Sequence, residues 1–399
     1  MFGEKRIRVL GVCLVALFFL TVVVLVTQNF LAKRRIERLE ELNIQCGEFA
    51  VLQDWESLES SALEWVKLDK SAADAWLNLA ESHQKQGRPK ESVDCLLQVP
   101  RNDPKASQAL LFAAEMQLAE AGQPSGGIDT LRELRDIDPR NDAARKHLIS
   151  LYAMTLQRRE MIDEIRDAFR YHVEPPEAYM YLMIADHLSF TNGAQLNTRW
   201  LAAESGSELY SVARVIQLVD TLKKLEKTSP ETEIQRHAGE EELNSLLKKY
   251  PQNRALLYNA IESAMLEEDV DQVRKLLAQI RDPDFPDSLS LRYKGWHLMK
   301  TQRPQEAEEA YRRSISLMPL DWHAWHELAS ALRNQGKLEA AESAARIAVV
   351  GKELRKDCLA LPDASQAPPD LFDRILQYAV ECRADDVAAA LSFRKQPTP

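Results

Sequence analysis

Residues 76–87 read WLNLAESHQKQG, and residues 325–336 read WHELASALRNQG. Both stretches carry tryptophan, leucine, alanine and glycine at relative offsets of 0, 3, 4 and 11. The first three offsets place their residues on one face of a helix, and the glycine stands where a helix of about three turns should stop. The pattern therefore predicts a short helix that packs through one face and then ends in a tight turn.

A second helical pattern follows each of these glycines. It carries Val93 and Leu96 in one case and Ala341, Ala345 and Ala348 in the other. The same helical period returns in 288–321, and prolines at 104 and 139, which end helix pairs, stand 35 residues apart. Because this spacing matches one pair of short helices, we predict that the chain repeats a helix–turn–helix unit.

With these residues the chain resembles the tetratricopeptide repeat family, whose unit is about 34 residues long. A large residue opens the first helix, as Trp76 and Trp325 do, and small residues stand where paired helices cross. The matching small residues are Ala80, Gly295, Ala307, Ala329 and Ala341. The resemblance implies a right-handed α-solenoid in which neighbouring pairs share one core, because a single pair cannot bury its apolar face.

The amino-terminal region has a different composition. Residues 9–26 form an uncharged, almost wholly apolar run, with Lys5, Arg6 and Arg8 before it and four basic residues at 33–38 after it. Such a run is long enough to cross a bilayer as a helix, which predicts a transmembrane helix at 9–32. The alternative is a cleaved secretory signal, whose apolar stretch is usually about 7–15 residues. The basic residues are balanced on the two sides, so they select no orientation.

The predicted fold class is all-α: one transmembrane helix, then a solenoid of helix pairs with a capping helix. The predicted divisions are a basic tail at 1–8, the transmembrane helix at 9–32, a juxtamembrane helix at 33–46, amino-terminal repeats at 47–174, degenerate helical repeats at 175–287, carboxy-terminal repeats at 288–355, a linker at 356–369, a capping helix at 370–391 and a disordered tail at 392–399.

Composition and motifs argue against several functions. The chain has 51 basic and 61 acidic residues, a net charge of −10, which disfavours a nucleic-acid partner. It has no phosphate-binding glycine loop, no dinucleotide fingerprint and no nucleophile elbow. Five scattered cysteines form no C-x-x-C pair. His323 and His326 stand three residues apart, but no third metal ligand is apparent. We therefore predict no enzyme, no cofactor and no metal.

A partner-binding groove is the predicted functional site. In a stack of helix pairs, the first helices line a concave surface. In the last two repeats this surface is basic and aromatic and would suit an acidic or carboxylate-ended peptide; in the first clear repeat it is more acidic. The alternative is an ordinary solvated helix surface. The predicted groove residues are Arg292, Trp296, Met299, Lys300, His323, His326, Arg333 and Asn334, together with Asp74, Leu77, Glu81 and Gln84.

These features predict a single-pass membrane scaffold that binds a protein or peptide in its groove. Resemblance to membrane-anchored repeat proteins implies a role in assembly, translocation or envelope biogenesis. One alternative is a homo-oligomer, in which the repeats bind a second copy of the chain. Another is an enzyme with a catalytic insert in 175–287, where Asp186, His187 and His237 are the available titratable groups.

Overall fold

The computed structural model describes residues 2–190, 192–225, 229–280, 287–361 and 366–395, with side chains described from residue 25 onward. The chain forms two compact units, Met1–Ala121 (unit 1) and Gly122–Pro399 (unit 2). All regular secondary structure in these described ranges is helical. Neighbouring helices pair and stack within each unit, so the predicted all-α solenoid of helix pairs is confirmed.

The helices have the following bounds. Those of unit 1 are α1 Phe2–Leu52, α2 Trp55–Leu68, α3 Ala73–Lys85, α4 Pro89–Leu96 and α5 Ala106–Ala119. Those of unit 2 are α6 Pro124–Ile137, α7 Asp142–Met154, α8 Arg158–Tyr171, α9 Glu177–Met183, α10 Gly193–Ala203, α11 Glu208–Lys223, α12 Pro230–Lys249, α13 Arg254–Leu266, α14 Val270–Leu277, α15 Ser288–Lys300, α16 Pro304–Leu317, α17 Trp322–Asn334, α18 Leu338–Ala360, α19 Pro369–Glu381 and α20 Asp385–Arg394.

The turns inside the two most regular pairs form as the glycine spacing predicts. Gly87 follows α3 with a φ of 73°, and Gly336 follows α17 with a φ of 74°. Glycine takes this left-handed conformation without the steric cost that a side chain would add. The helix end is then closed by the backbone, because Lys337 N donates to the carbonyl oxygen of Leu332 at 3.0 Å.

Small residues allow the paired helices to approach closely. An ideal Cβ placed on Gly295 of α15 would lie 2.4 Å from Cε1 of Tyr311, a fully buried residue of α16. The other small residues of the repeat pattern are almost inaccessible to solvent, namely Ala80, Ala307, Ala329 and Ala341. The sequence pattern therefore marks helix crossings, as the resemblance implies.

The first helix pair begins earlier than the sequence predicts. Residues 33–46 do not form a separate juxtamembrane helix, because α1 continues through them to Leu52. Leu42 and Cys46 on α1 are fully buried and share the core of unit 1 with Leu58 and Ala62 on α2. The carboxy-terminal part of α1 is thus the first helix of the first pair, and the repeat region starts before residue 47.

The predicted membrane span at 9–32 falls largely outside the described side chains, which begin at Leu25. The backbone of this segment belongs to α1. Among the residues whose side chains are described, no helix combines the length and the apolar character needed to cross a bilayer. The predicted basic tail at 1–8 also lies outside the described side chains.

The centre of the chain, 175–287, is helical where it is described, but its repeats are irregular. The helix α9 spans only Glu177–Met183, and the chain from 184 to 190 continues without an α-helix. In the helix α12, Gly239 is the residue that is buried from solvent. Residues 191, 226–228 and 281–286 of this segment lie outside the described residues.

The carboxy-terminal end differs from the predicted linker, single capping helix and disordered tail. The helix α18 runs to Ala360, into the predicted linker at 356–369, of which 362–365 lie outside the described residues. The predicted capping helix at 370–391 is two helices, α19 and α20. Arg383 breaks it by adopting a φ of 61°, and Ala384 N then bonds to the carbonyl oxygen of Ala379 at 2.8 Å.

The helix α20 continues to Arg394, inside the predicted disordered tail at 392–399, of which 396–399 lie outside the described residues. Two contacts with the segment after α8 hold this end in place. Phe393 stacks on His172 with ring centroids 3.6 Å apart, and Arg394 Nη1 donates to the carbonyl oxygen of Glu174 at 3.2 Å. The last turn of α20 is therefore packed against the segment that follows α8.

The close crossing of α15 and α16 predicts the effect of one added methyl group. We expect Gly295→Ala to lower the free energy of unfolding by about 1–3 kcal/mol, because the new Cβ would overlap the ring of Tyr311. Gly47→Ala is the matched control, since a Cβ at that helical position meets no atom within 4 Å. We expect the control to be neutral or to stabilise the chain by up to about 1 kcal/mol. Chemical denaturation of both variants measures the difference, and equal stability would contradict the assigned crossing.

Candidate functional site

A groove in unit 1 contains three of the four predicted residues of the first clear repeat. It lies between α3 and α5 and has a volume of about 540 Å³. We call it the α3–α5 groove, and it is lined by Leu77, Ala80, Glu81, Gln84, Lys85, Ser92, Leu96, Gln108, Phe112, Glu115, Met116, Ala119 and Glu120. The fourth predicted residue, Asp74, does not line it, because its carboxylate pairs with the ammonium of Lys105.

The surface of this groove combines an exposed ring with carboxylates. Phe112 on α5 is 46 % exposed, so part of its ring is accessible at the surface of the groove. Glu81 and Glu120 are exposed, and within the described ranges neither carboxylate has a cationic partner. Phe112 and Glu120 were not among the groove residues predicted from the sequence. The available signal was that α5 is the first helix of the next pair and must therefore line the same surface as α3.

A second site, in unit 2, contains three of the predicted residues of the last repeats. Arg292, Trp296 and His323 line a cavity of about 540 Å³. We call it the α13–α17 cavity, and its lining is completed by Asp186, His187, Glu262, Met265, Leu266, Tyr293, Trp322, Glu327 and Arg355. The helices α13, α15, α17 and α18 contribute to it, together with the turn after α9.

The predicted basic patch is not a free cationic surface. Arg292 is only 7 % exposed, and its Nη1 donates to both carboxylate oxygens of Asp321 at 2.9 Å. Lys300 Nζ lies 2.8 Å from Glu268 Oε1. The sequence indicates the cations but not these carboxylate partners. The carboxylates neutralise most of the positive charge that was expected to attract an acidic peptide.

The other predicted residues of this patch do not line the cavity. Met299 is half-buried and packs against the core between α15 and α18. His326, Arg333 and Asn334 are exposed on α17, and Arg333 Nη2 contacts Ser330 Oγ at 3.4 Å. The structure therefore brings Arg292, Trp296 and His323 together and leaves these four residues and Lys300 outside.

Asp186 joins the turn after α9 to α17 and α18. Its carboxylate lies 3.0 Å from Arg355 Nε and 3.0 Å from His323 Nδ1. Burial alone raises the pKa of this carboxyl. The close contact with His323 and the positive charge of Arg355 outweigh burial and hold the pKa of Asp186 below its usual range. Asp186 is therefore a buried anion whose contacts connect the turn after α9 with α17 and α18.

His187 forms a second charged cluster beside the cavity. Its Nε2 lies 3.1 Å from Asp220 Oδ1, and its Nδ1 lies 3.9 Å from Glu262 Oε2. The hydrogen bond to Asp220, followed by the ion pair with Glu262, raises the pKa of His187 to about 9 despite the opposing effect of burial. The imidazole is thus a cation at neutral pH.

Within the described residues, the three titratable groups that the enzyme alternative names do not come together. Asp186 and His187 both line the cavity, but His237 lies on α12, where it pairs with Glu240 and is 69 % exposed. The nearby Ser189 hydroxyl donates to Asp220, and Lys224 Nζ donates to Ser189 Oγ at 2.8 Å. A nucleophile–base pair would need Ser189 to donate to a neutral base, whereas here it donates to the carboxylate that holds His187. That the chain is no enzyme stays a prediction.

Two segments of the chain are similar to a known repeat family. A family model described as the tetratricopeptide repeat matches residues 77–142 and 294–355. These ranges contain the second quoted stretch, the first except Trp76, and every lining residue of the α3–α5 groove. No curated protein matches the chain.

Several solved structures are similar at low identity. A tetratricopeptide repeat protein from Parabacteroides merdae shares 14 % identity with a TM-score of 0.28, covering 74 % of this chain and 99 % of that one. The Cut9–Hcn1 hetero-tetramer of the APC/C shares 12 % with a TM-score of 0.31, covering 90 % and 80 %. Yeast Tom70 shares 11 % with a TM-score of 0.30, covering 90 % and 88 %. At these identities the likeness adds nothing to what the helices themselves show.

The raised pKa of His187 predicts a pH-dependent stability. Its charged contacts stabilise the fold fully below the unfolded value of 6.5 and are lost as pH rises through about 9. We therefore expect the stability advantage of the native chain over His187→Gln to shrink between these two values. Thermal unfolding at a series of pH values measures it.

The control for this series is His237→Gln, because His237 is mostly exposed on α12. This variant should keep the pH dependence of the native chain. The assigned contacts of His187 would be refuted by a His187→Gln variant whose stability falls with pH as steeply as that of the native chain.

Proposed function

We propose that the protein is a membrane-tethered scaffold that binds a partner protein in the α3–α5 groove, because two segments of the chain match the tetratricopeptide repeat model. The observation that supports this most is the exposed ring of Phe112, which lies in the groove with Glu81 and Glu120. An exposed aromatic side chain in a concave, carboxylate-bearing surface suits a peptide segment that combines apolar and basic side chains.

The proposed function includes a membrane tether, which the sequence supports. The apolar run at 9–26 is long enough for a bilayer span, and it continues into a basic segment at 33–38 that suits lipid headgroups. Leu25, Val26, Phe30 and Leu31 on α1 are each more than half exposed, which a surrounding lipid phase would explain. A tether raises the effective concentration of the groove for partners at the same membrane. Assembly of a membrane complex is the role that fits this arrangement.

The groove proposal predicts a specific loss on removing one ring. We expect Phe112→Ala to weaken binding of a synthetic leucine- and lysine-containing peptide about tenfold, because an aromatic anchor typically contributes at least ~1.4 kcal/mol. Fluorescence anisotropy with the full chain in zwitterionic lipid nanodiscs measures this affinity, and empty nanodiscs report binding to lipid.

The matched control is Leu63→Ala, because Leu63 on α2 is 40 % exposed but does not line the groove. This variant should bind as the native chain does. A peptide in which glutamate replaces lysine should bind much more weakly, since it meets the carboxylates of Glu81 and Glu120. Equal effects of the two alanine substitutions, or preference for the acidic peptide, would refute the groove assignment.

The tether predicts a simple fractionation result. We expect the full chain to stay with membranes after washing with alkaline carbonate, because a spanning helix is held by its apolar surface rather than by charge. A version in which Leu17, Phe19 and Val23 are all replaced by aspartate should lose this retention, since a charge is costly in the bilayer core. Release of the unaltered chain into the wash would argue for a cleaved signal or a peripheral protein.

A further inference from the structure

The α13–α17 cavity is a second candidate site, separate in composition from the α3–α5 groove. Aromatic side chains form much of its wall, namely Tyr293 and Trp296 on α15 and Trp322 on α17. Charged side chains of both signs complete it. The ligand that fits therefore depends on which of these charges already have a partner.

Each strong cation of the cavity has its own carboxylate. Arg292 bonds to Asp321 at 2.9 Å, Arg355 to Asp186 at 3.0 Å, and His187 to Asp220 at 3.1 Å. His323 also contacts Asp186. Buried cations need such partners, because an uncompensated buried charge is strongly destabilising. These cations are consequently committed to the fold and offer little free charge to an anionic ligand.

Two carboxylates of the cavity accept a hydrogen bond from a tyrosine hydroxyl, and no cationic nitrogen of the described residues lies within hydrogen-bond distance of either. Glu262 on α13 accepts the hydroxyl of Tyr293 at 2.6 Å, and its nearest cationic nitrogens, Arg292 Nη2 and His187 Nδ1, are each 3.9 Å away. Glu327 on α17 accepts the hydroxyl of Tyr311 at 3.3 Å, and it forms no ion pair with any described cation. The negative charge of this site is thus less compensated than its positive charge.

The protonation states support this distribution. Burial raises the pKa values of Tyr293 and Tyr311 far above the ordinary phenol value, so both hydroxyls remain donors. Burial also opposes ionisation of Glu262, but the ion pair with His187 and the hydrogen bond from Tyr293 outweigh it and lower its pKa. Glu262 is therefore an anion at neutral pH.

The tryptophans of the cavity already show an affinity for cations. Lys300 Nζ lies 5.4 Å from the ring centre of Trp296, and Lys352 Nζ lies 5.5 Å from that of Trp322. An ammonium or guanidinium at such distances is attracted by the electron-rich face of the ring. The indole Nε1 of Trp322 is in addition buried without an acceptor among the described residues. A carbonyl oxygen brought by a ligand would satisfy it.

We propose that the α13–α17 cavity binds an organic cation, a guanidinium or alkylammonium group, between the carboxylates of Glu262 and Glu327 and beside Trp296 and Trp322. The group belongs either to an arginine or lysine side chain of a bound protein or to a free small molecule. Only the first source rests on the proposed scaffold function. The sign of the ligand is opposite to the acidic peptide that the sequence predicts for this part of the chain.

The test compares three small probes on the full chain by isothermal titration calorimetry, at concentrations up to about 10 mM, so that weak binding is detected. The probes are agmatine, arginine blocked as its N-acetyl methylamide, and glutamate blocked in the same way. We expect both guanidinium probes to bind and blocked glutamate not to bind. Tighter binding of blocked arginine than of agmatine identifies a protein side chain as the source, and the reverse order identifies a free cation.

Glu327→Gln should weaken the binding of both guanidinium probes about tenfold, because it removes a charge-assisted contact. Glu262→Gln is a second variant with the same expected effect. Glu309→Gln, an exposed glutamate on α16 outside the cavity, is the matched control and should leave binding unchanged. Circular dichroism confirms that each variant folds.

Binding of blocked glutamate in preference to the guanidinium probes would overturn the proposal, as would the absence of binding by any probe. Equal weakening by Glu327→Gln and Glu309→Gln would overturn it too. Phe112→Ala should leave agmatine binding unchanged, since Phe112 belongs to the α3–α5 groove. Failure of the cavity proposal is therefore distinguishable from failure of the groove proposal.

Discussion

The whole architecture depends on the need of each helix pair to bury its apolar face against a neighbour. A pair of helices of about 13 residues exposes too much apolar surface to be stable alone, so successive pairs must share a core. Close packing then requires small residues at the crossings, as where Gly295 admits the ring of Tyr311. It also requires that the first helices of successive pairs lie on the same side. Whatever polar and aromatic residues these helices carry there are brought together, which is how α3 and α5 form one groove.

A second constraint acts on the charges. A guanidinium that is taken out of water by this packing needs a carboxylate, and the fold supplies one wherever an arginine is deeply buried. Arg145, which is 1 % exposed, bonds to Glu164 at 2.6 Å, and Arg292 bonds to Asp321. Because the buried cations take their carboxylates from the interior, the charges that remain available at the groove and cavity are mostly glutamates. The net negative charge of the chain therefore appears as glutamates at the α3–α5 groove and the α13–α17 cavity.

The local part of this organisation could be predicted from the sequence, whereas its long-range part could not. The tryptophan, alanine and glycine spacing predicted the helix pairs and the turn at Gly336, since those features depend on neighbouring residues. Arg292 was predicted as a free groove cation because nothing in the sequence indicates that Asp321 would be its partner. Arg355 and Asp186 are 169 residues apart, and only the folded chain brings them to one cavity. The prediction of a single capping helix was wrong for a local reason. Arg383 adopts a left-handed conformation that the helical pattern does not indicate.

We propose that the surface lined by the first helices binds another protein. Site-specific photocrosslinking in intact membranes tests it most directly, with a benzophenone amino acid placed either at position 112 in the groove or at position 63 on α2. We expect crosslinks from position 112 to a segment of another protein that carries basic and apolar side chains, and none from position 63. Equal labelling from the two positions, or labelling from position 112 of nothing but a second copy of the chain, would contradict it.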